Sequence, residues 1–245
     1  SNPSTGATGP GPLLDRFLSG SARQRRGLIA ELTRRRDDLA GLVLERLDGL
    51  DATGDDWAAG TLIQLVCAAA DPAPATALRA RYPQGWLAMS SAAGIDYGPL
   101  QQALMAEAFE TADRLTSEHL RQLAGEGAVQ RGYVYYSEVP PMSACDLETI
   151  DRLWCCYSRG RFGFSVQARL LQACEGRWER LWPRIGWKDG GIWTRYPGSF
   201  TWSHEAPEGH MPLVNQLRGV RLMDALLRHP AVQRRLEAGQ SRSTR

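Results

Sequence analysis

The sequence predicts an all-α protein: an N-terminal helical bundle, then an all-helical core shaped as a cupped hand with long loops. Three observations support the helical part of this reading. Apolar residues recur every three to four positions over most of the chain, as in Leu28, Ile29, Leu32, Leu39, Leu42, Val43 and Leu47, which is the period of an amphipathic helix. Proline or glycine closes several of these stretches, at Pro72, Pro83, Gly125 and Gly127. The one stretch with strand propensity, Gly132 to Val139 with Tyr133, Val134, Tyr135 and Tyr136, has no partner strand, so an extended or single-turn connection is expected there.

Element by element, Ser1 to Pro12 is rich in Gly, Pro, Ser and Thr, carries no secretory pattern, and reads as a disordered arm. Leu13 to Leu47 reads as helix, with Arg34, Arg35 and Arg36 on a solvated face. Asp55 and Asp56 can start a helix over Trp57 to Ala70. Thr76 to Arg81 and a short apolar piece at Trp86 to Ala93 complete a bundle over residues 13–93, held by antiparallel packing and short loops. A core domain over 96–232 follows. Leu100, Leu104 and Met105, then Phe109, Ala112 and Leu115, stripe two short helices between Asp96 and Gly125. Asp146 is placed to cap a helix burying Ile150, Leu153, Trp154 and Tyr157. Gly160 and Gly163 make a tight connection to a helix over Phe164 to Ala173, and Arg177 to Leu181 is short and aromatic. Leu213 to Arg228 reads as the last helix, with a flexible basic tail over 233–245.

Composition excludes several classes. The 29 basic and 27 acidic residues leave a net charge of +2, which gives no reason to expect nucleic acid as the main partner. The longest apolar run, Thr61 to Ala70, is too short to span a membrane. The five cysteines are odd in number and two are adjacent, Cys155 and Cys156, so free thiols in a reducing, cytoplasmic compartment are expected. No Cys-x-x-Cys pair or Cys/His cluster suggests a metal. Lys188 is the single lysine among the basic residues, a bias that points to GC-rich codons.

The informative region is the glycine- and proline-rich stretch from Pro183 to Pro212. A loop of that length is usually functional. Six of the eight tryptophans fall between Trp154 and Trp202, and Trp182, Trp187, Trp193, Tyr196, Phe200 and Trp202 lie on or beside the loop. Exposed aromatic surface is costly, so these rings either fold into the core or line an apolar cavity. Next comes Asn215-Gln216-Leu217-Arg218-Gly219-Val220-Arg221, which sets Asn215, Arg218 and Arg221 on one helical face. That face is either an ordinary solvated stripe or a pair of guanidinium forks for carboxylates. His204 and His210 flank Glu205 and Glu208 without a third ligand at suitable spacing. Ser158, Ser165 and Ser203 sit in no nucleophile elbow, and Gly160-Arg161-Phe162-Gly163 lacks the ending of a phosphate loop. No acid–base constellation supports an enzyme.

Three further features carry a resemblance. The first is Asp146-Leu147 with Ile150-Asp151-Arg152-Leu153-Trp154. The second is the run from Tyr157-Ser158-Arg159 through Phe162-Gly163-Phe164-Ser165-Val166-Gln167. The third is Arg184-Ile185-Gly186-Trp187, Ala206-Pro207-Glu208-Gly209-His210-Met211-Pro212 and Asn215-Gln216-Leu217-Arg218-Gly219 in that order. Together, over about Asp96 to Pro230, they resemble the genomes-uncoupled-four family, of the cyanobacterial type with an N-terminal helical domain. The resemblance implies the cupped-hand core and a non-catalytic role. It implies binding of protoporphyrin IX and Mg-protoporphyrin IX, and stimulation of magnesium chelatase with its large porphyrin-binding subunit in chlorophyll biosynthesis. It places Arg218 and Arg221 at the propionates, Tyr196 as a stacking ring, Phe200 and Trp202 as loop aromatics and Tyr136 as an aromatic wall. Asn215 and Leu217 belong to the same segment, and Arg114 is a third cation. A monomer, with thylakoid association in addition to the cytoplasm, fits this picture. His210 is either an axial ligand to the magnesium porphyrin or a hydrogen-bonded brace for the loop. The alternatives are a helical protein-interaction module whose aromatics are all core, and a bilin-binding regulator.

Overall fold

The computed structural model describes residues 8–214 and 219–243. Five helices form the N-terminal part: α1 (Pro10–Ser19), α2 (Ala22–Arg34), α3 (Arg36–Leu47), α4 (Trp57–Ala68) and α5 (Ala73–Arg81). The stretch from Leu13 to Leu47 is therefore three helices rather than one, and helix begins at Pro10, inside the segment read as a disordered arm. The breaks have local causes. Ser21 accepts from the Gln24 N–H while the Gln24 side chain accepts from the Ser21 N–H, a reciprocal cap that restarts the chain as α2. Arg35 leaves helical geometry between α2 and α3. Pro74 lies in the first turn of α5, a position where its missing N–H costs nothing.

The second part contains α6 (Gly98–Met105), α7 (Phe109–Ala124), α8 (Glu126–Arg131), a 3₁₀ turn at Tyr136–Glu138, α9 (Ala144–Cys156), α10 (Phe164–Ala173), α11 (Trp178–Arg184), α12 (Arg221–Arg228) and α13 (Pro230–Ser243). The single-turn connection expected at 132–139 is thus a 3₁₀ turn. Ser143, not Asp146, caps α9 by accepting the Asp146 N–H. Asp146 is instead fully buried. It accepts from Ser91, from the Tyr97 hydroxyl and from the N–H groups of Ala92 and Ala93. These bonds outweigh its burial and hold the carboxyl below the usual carboxylate range.

The tail read from 233 onward is helical to Ser243. The helix α13 buries Ala231, Val232 and Leu236, and Arg235 bonds Asp55 and the fully buried Asp151. A basic sequence here signals ion pairing across the fold. Of the last helix read from Leu213 to Arg228, Arg221–Arg228 is helical and the described residues 213, 214, 219 and 220 are not, while residues 215–218 lie outside the described residues; α13 follows.

One apolar cluster runs through both parts of the chain. The two parts are also joined by polar ties. Gln64 of α4 donates to the carbonyls of Leu104 and Tyr157. Arg152 of α9 donates to the carbonyls of Ala52, Gly54 and Ala88, so the piece at Trp86 to Ala93 is held as irregular backbone. Replacing Arg152 by methionine removes three hydrogen bonds and leaves the Gly54 and Ala88 carbonyls without this partner, while Ala52 keeps the Ala88 N–H; it is expected to lower stability by about 2 kcal/mol in urea denaturation. An unchanged midpoint would overturn that account of the joint.

Candidate functional site

The long loop after α11 divides its aromatics between two roles. Trp182, Trp187 and Phe200 are buried, whereas Trp193 and Tyr196 are exposed at 39% and 46%. Trp182 stacks between Trp178 and Trp187, with ring centroids 5.2 and 5.5 Å away. Trp193 meets Trp182 edge-on, and Lys188 lies over the Trp193 ring. These rings support a hairpin the sequence reading left as loop: β1 (Lys188–Asp189) pairs antiparallel with β2 (Ile192–Trp193). Its turn is Gly190-Gly191, both with positive φ, the conformation a two-residue hairpin turn demands.

The base of the loop is fixed by His210. Its Nδ1 donates to the Ile185 carbonyl at 2.6 Å and its Nε2 accepts from the Thr201 N–H at 3.2 Å. Burial lowers its pKa, so the ring is neutral and both nitrogens are committed. That makes His210 a brace for the loop and leaves no lone pair for a metal. His204 is engaged through Nε2 alone, with Glu107 at 2.7 Å and Gln64 at 3.0 Å, while its buried Nδ1 has no hydrogen-bond partner among the described residues. Gly186 lies against His210 and Pro207, where a Cβ would fall 2.9 Å from the proline ring. Only a residue without a side chain passes there, because φ is also positive.

Beside this base three aromatics cluster, with Phe200 buried and Tyr196 exposed. Phe200 and Trp202 stack at 5.7 Å, and Tyr196 meets both edge-on at 5.8 and 6.0 Å. The Tyr196 hydroxyl donates to Asp113 of α7 at 3.4 Å, and the same carboxylate accepts the Leu213 N–H at 2.6 Å. Asp113 is thus the latch between the loop, α7 and the strand of chain leading toward α12. Sequence reading missed it. Its one signal was an acid beside Ala112 on the buried stripe. Arg114, the next residue, is exposed.

A second group lies just after α8 in the chain. Tyr135 and Tyr136 are each 49% exposed, and the guanidinium of Arg221, at the start of α12, lies over the Tyr136 ring at 5.4 Å, a cation–π distance. Among the described residues the large exposed apolar side chains are Val129, Tyr135, Tyr136, Ile192, Trp193 and Tyr196. They come from two segments, residues 129–136 and 192–196. The structure therefore brings together Tyr196, Phe200 and Trp202, and separately Tyr136 with Arg221. Asn215, Leu217 and Arg218 lie outside the described residues. No group of three or more His, Cys, Asp or Glu side chains able to hold a metal occurs among the described residues. No described helix is long and apolar enough to cross a membrane.

The chain is thus a helical scaffold that carries exposed aromatic rings and arginines. The chain matches the GUN4-like family model over residues 90–230, more than half its length, and belongs to that family. It is 54% identical over 155 residues to a Ycf53-like protein of Synechocystis, with 63% of this chain and 66% of that protein covered. It is 39% identical over 141 residues to the tetrapyrrole-binding protein, chloroplastic, of Arabidopsis thaliana, covering 54% of this chain and 53% of that one. The match thus spans under two thirds of the length of either relative. Among solved structures it resembles GUN4 from Chlamydomonas reinhardtii at 38% identity and TM-score 0.57, over 60% of this chain and 93% of that one. The ligand-free Arabidopsis thaliana GUN4 gives 38% identity and TM-score 0.53, over 57% and 99%.

Proposed function

We propose that this chain binds a tetrapyrrole between the loop aromatics and the Tyr136–Arg221 pair. We also propose that it acts on magnesium chelatase through the large porphyrin-binding subunit of that enzyme, without itself catalysing a reaction. The observation that carries the reading is the concentration of exposed apolar side chains on two segments, 129–136 and 192–196, with the exposed Arg221 over Tyr136 and the exposed Arg114 near Tyr196. The name of the Arabidopsis relative supports it. Protoporphyrin IX and Mg-protoporphyrin IX suit such a surface, since each is a flat ring bearing two propionates. Tyr196, Phe200, Trp202 and Tyr136 supply apolar contact. Arg221 and Arg114 supply charge-assisted bonds, and Asn215, Leu217 and Arg218 belong to the connecting segment. About forty heavy atoms at about −0.3 kcal/mol each set a favourable limit near −12 kcal/mol, roughly nanomolar. Ordering the loop weakens this.

The test is a titration with a water-soluble deuteroporphyrin, followed by tryptophan fluorescence and the Soret band. Wild type is expected to saturate. Arg221→Ala is expected to bind about tenfold more weakly, the loss of one charge-assisted contact, and Tyr196→Ala also more weakly. Quenching that never saturates, or that ignores both substitutions, overturns the assignment and leaves a protein-interaction module as the reading. Stimulation of chelatase turnover by wild type, reduced in Arg221→Ala, tests the second half.

A further inference from the structure

Away from the loop, a cleft of about 910 Å³ opens where α2, the turn before α4, the α9–α10 connection and α13 meet. Six arginines reach its wall: Arg25, Arg26, Arg161, Arg169, Arg235 and Arg242. The carboxylates within reach are fewer, and each is already committed. Asp56 pairs with Arg25. Asp55 holds Arg235 and Arg242, Asp151 holds Arg235 from beneath, and Glu208 pairs with Arg169.

Two positive charges, Arg26 and Arg161, are left without a carboxylate among the described residues. The Arg161 guanidinium donates to the His204 carbonyl, and that of Arg26 lies over the Trp57 ring at 5.7 Å. Arg26, Arg161 and Arg169 belong to three separate segments, and Arg26 repels both of the others. Burial and then the charge of Arg26 hold the pKa of Arg161 below the ordinary arginine value; burial and Arg184 do so for Arg169, with a smaller push from Arg26. A fold that gathers like charges into a cleft gains stability from an anion placed among them.

We propose that this cleft is a binding site for a small phosphate monoester, with its phosphate among Arg26, Arg161 and Arg169. The charge left over is +2, which a phosphate dianion neutralises. Guanidinium forks match phosphate oxygens in geometry. The cleft is far larger than a phosphate group and falls in the range of small-ligand pockets. Trp57, Val166 and Leu236 on its wall offer apolar surface to an organic remainder. Arg25, Arg26, Trp57, Arg235 and Arg242 lie outside residues 90–230, so the site depends on the N-terminal helices and α13 as well as on the shared core.

Calorimetric titration of the full chain at pH 8 and low ionic strength, with inorganic phosphate and with AMP as probes, tests this against sodium chloride of matched ionic strength. One saturable site is expected, with AMP at least threefold tighter than phosphate. Arg26→Gln and Arg161→Gln are each expected to weaken AMP about tenfold. The Arg26 side chain makes no hydrogen bond or ion pair among the described residues, so Arg26→Gln should melt close to wild type and bind deuteroporphyrin unchanged. That separates failure at this site from failure at the loop. Heats that do not saturate, or that chloride reproduces, overturn the proposal. So does AMP binding indifferent to both substitutions, and AMP no tighter than phosphate overturns the monoester assignment.

Discussion

Replacing Gly60 by alanine is expected to cost about 3 kcal/mol or more of stability, although alanine is the better helix former by about 1 kcal/mol. Gly60 lies on the buried face of α4, and a Cβ built there would stand 1.9 Å from the Cys156 carbonyl oxygen of α9 and 2.6 Å from its carbon. The opposing atoms are backbone, so no rotamer change relieves the clash and the two helices must separate. Separation pulls Gln64, one turn further along α4, away from the Leu104 and Tyr157 carbonyls. It also pulls Gln64 from His204 in the long loop. A change at the helix crossing therefore reaches the candidate tetrapyrrole surface, and weaker porphyrin binding should accompany the lower urea midpoint. Gly27→Ala is the control. It makes the same chemical change within α2, where a Cβ meets nothing within 4 Å, and is expected to stabilise by about 0.5–1 kcal/mol. If Gly60→Ala behaves like Gly27→Ala, the close crossing of α4 and α9 is wrong.

That crossing shows where sequence reading reaches its limit. Helical periodicity located α4, α9 and α10 within a few residues, because each buries an apolar stripe that the sequence displays directly. The helix breaks at Ser21 and Arg35 carry no proline, and the apolar positions resume in helical spacing beyond each; Gly20 and the Ser21/Gln24 pairing recorded the first. The helix α13 was hidden by its charge. Arg235 looks like a solvated residue until Asp55 and Asp151, 180 and 84 positions away, are brought beside it. The hairpin was legible in Gly190-Gly191, but two residues per strand left too little alternation to read. For the candidate site, the loop aromatics were visible as composition. Which of them are core and which exposed depends on the stacking of Trp178, Trp182 and Trp187, a tertiary fact. Asp113 was invisible for the same reason, since a lone carboxylate on a helix acquires meaning only from the loop that closes over it.

Asp113 in turn makes the stability of the protein depend on pH in an unusual direction. Burial pushes its carboxyl up to about 7, against the opposing pull of the Leu213 N–H and the Tyr196 hydroxyl and with a further push from Glu110. The folded state therefore binds a proton that the unfolded chain releases near pH 4. Between about pH 4 and 7 the folded form holds more protons, so stability from this group falls as pH rises, and above 7 it is level. The full span is on the order of 4 kcal/mol. Asp113→Asn keeps a carbonyl for the Leu213 N–H and removes the charge. It is expected to be more stable than wild type at pH 8, with the advantage shrinking toward pH 5, in melts of the two proteins side by side. Comparing the pair cancels the histidines. His210, neutral when buried, works in the opposite direction, losing stability on acidification. The consequence for the site follows from what Asp113 holds. An ionised carboxylate in an apolar setting favours admitting water, and the groups facing it are Tyr196 and Leu213, the two ends of the loop latch, with Arg114 and Glu110 on the same helix. Loosening that latch should weaken deuteroporphyrin binding by wild type between pH 6 and 8.5, and Asp113→Asn should not share the loss. Parallel pH profiles for the two proteins, in melting and in binding alike, would remove Asp113 from the account.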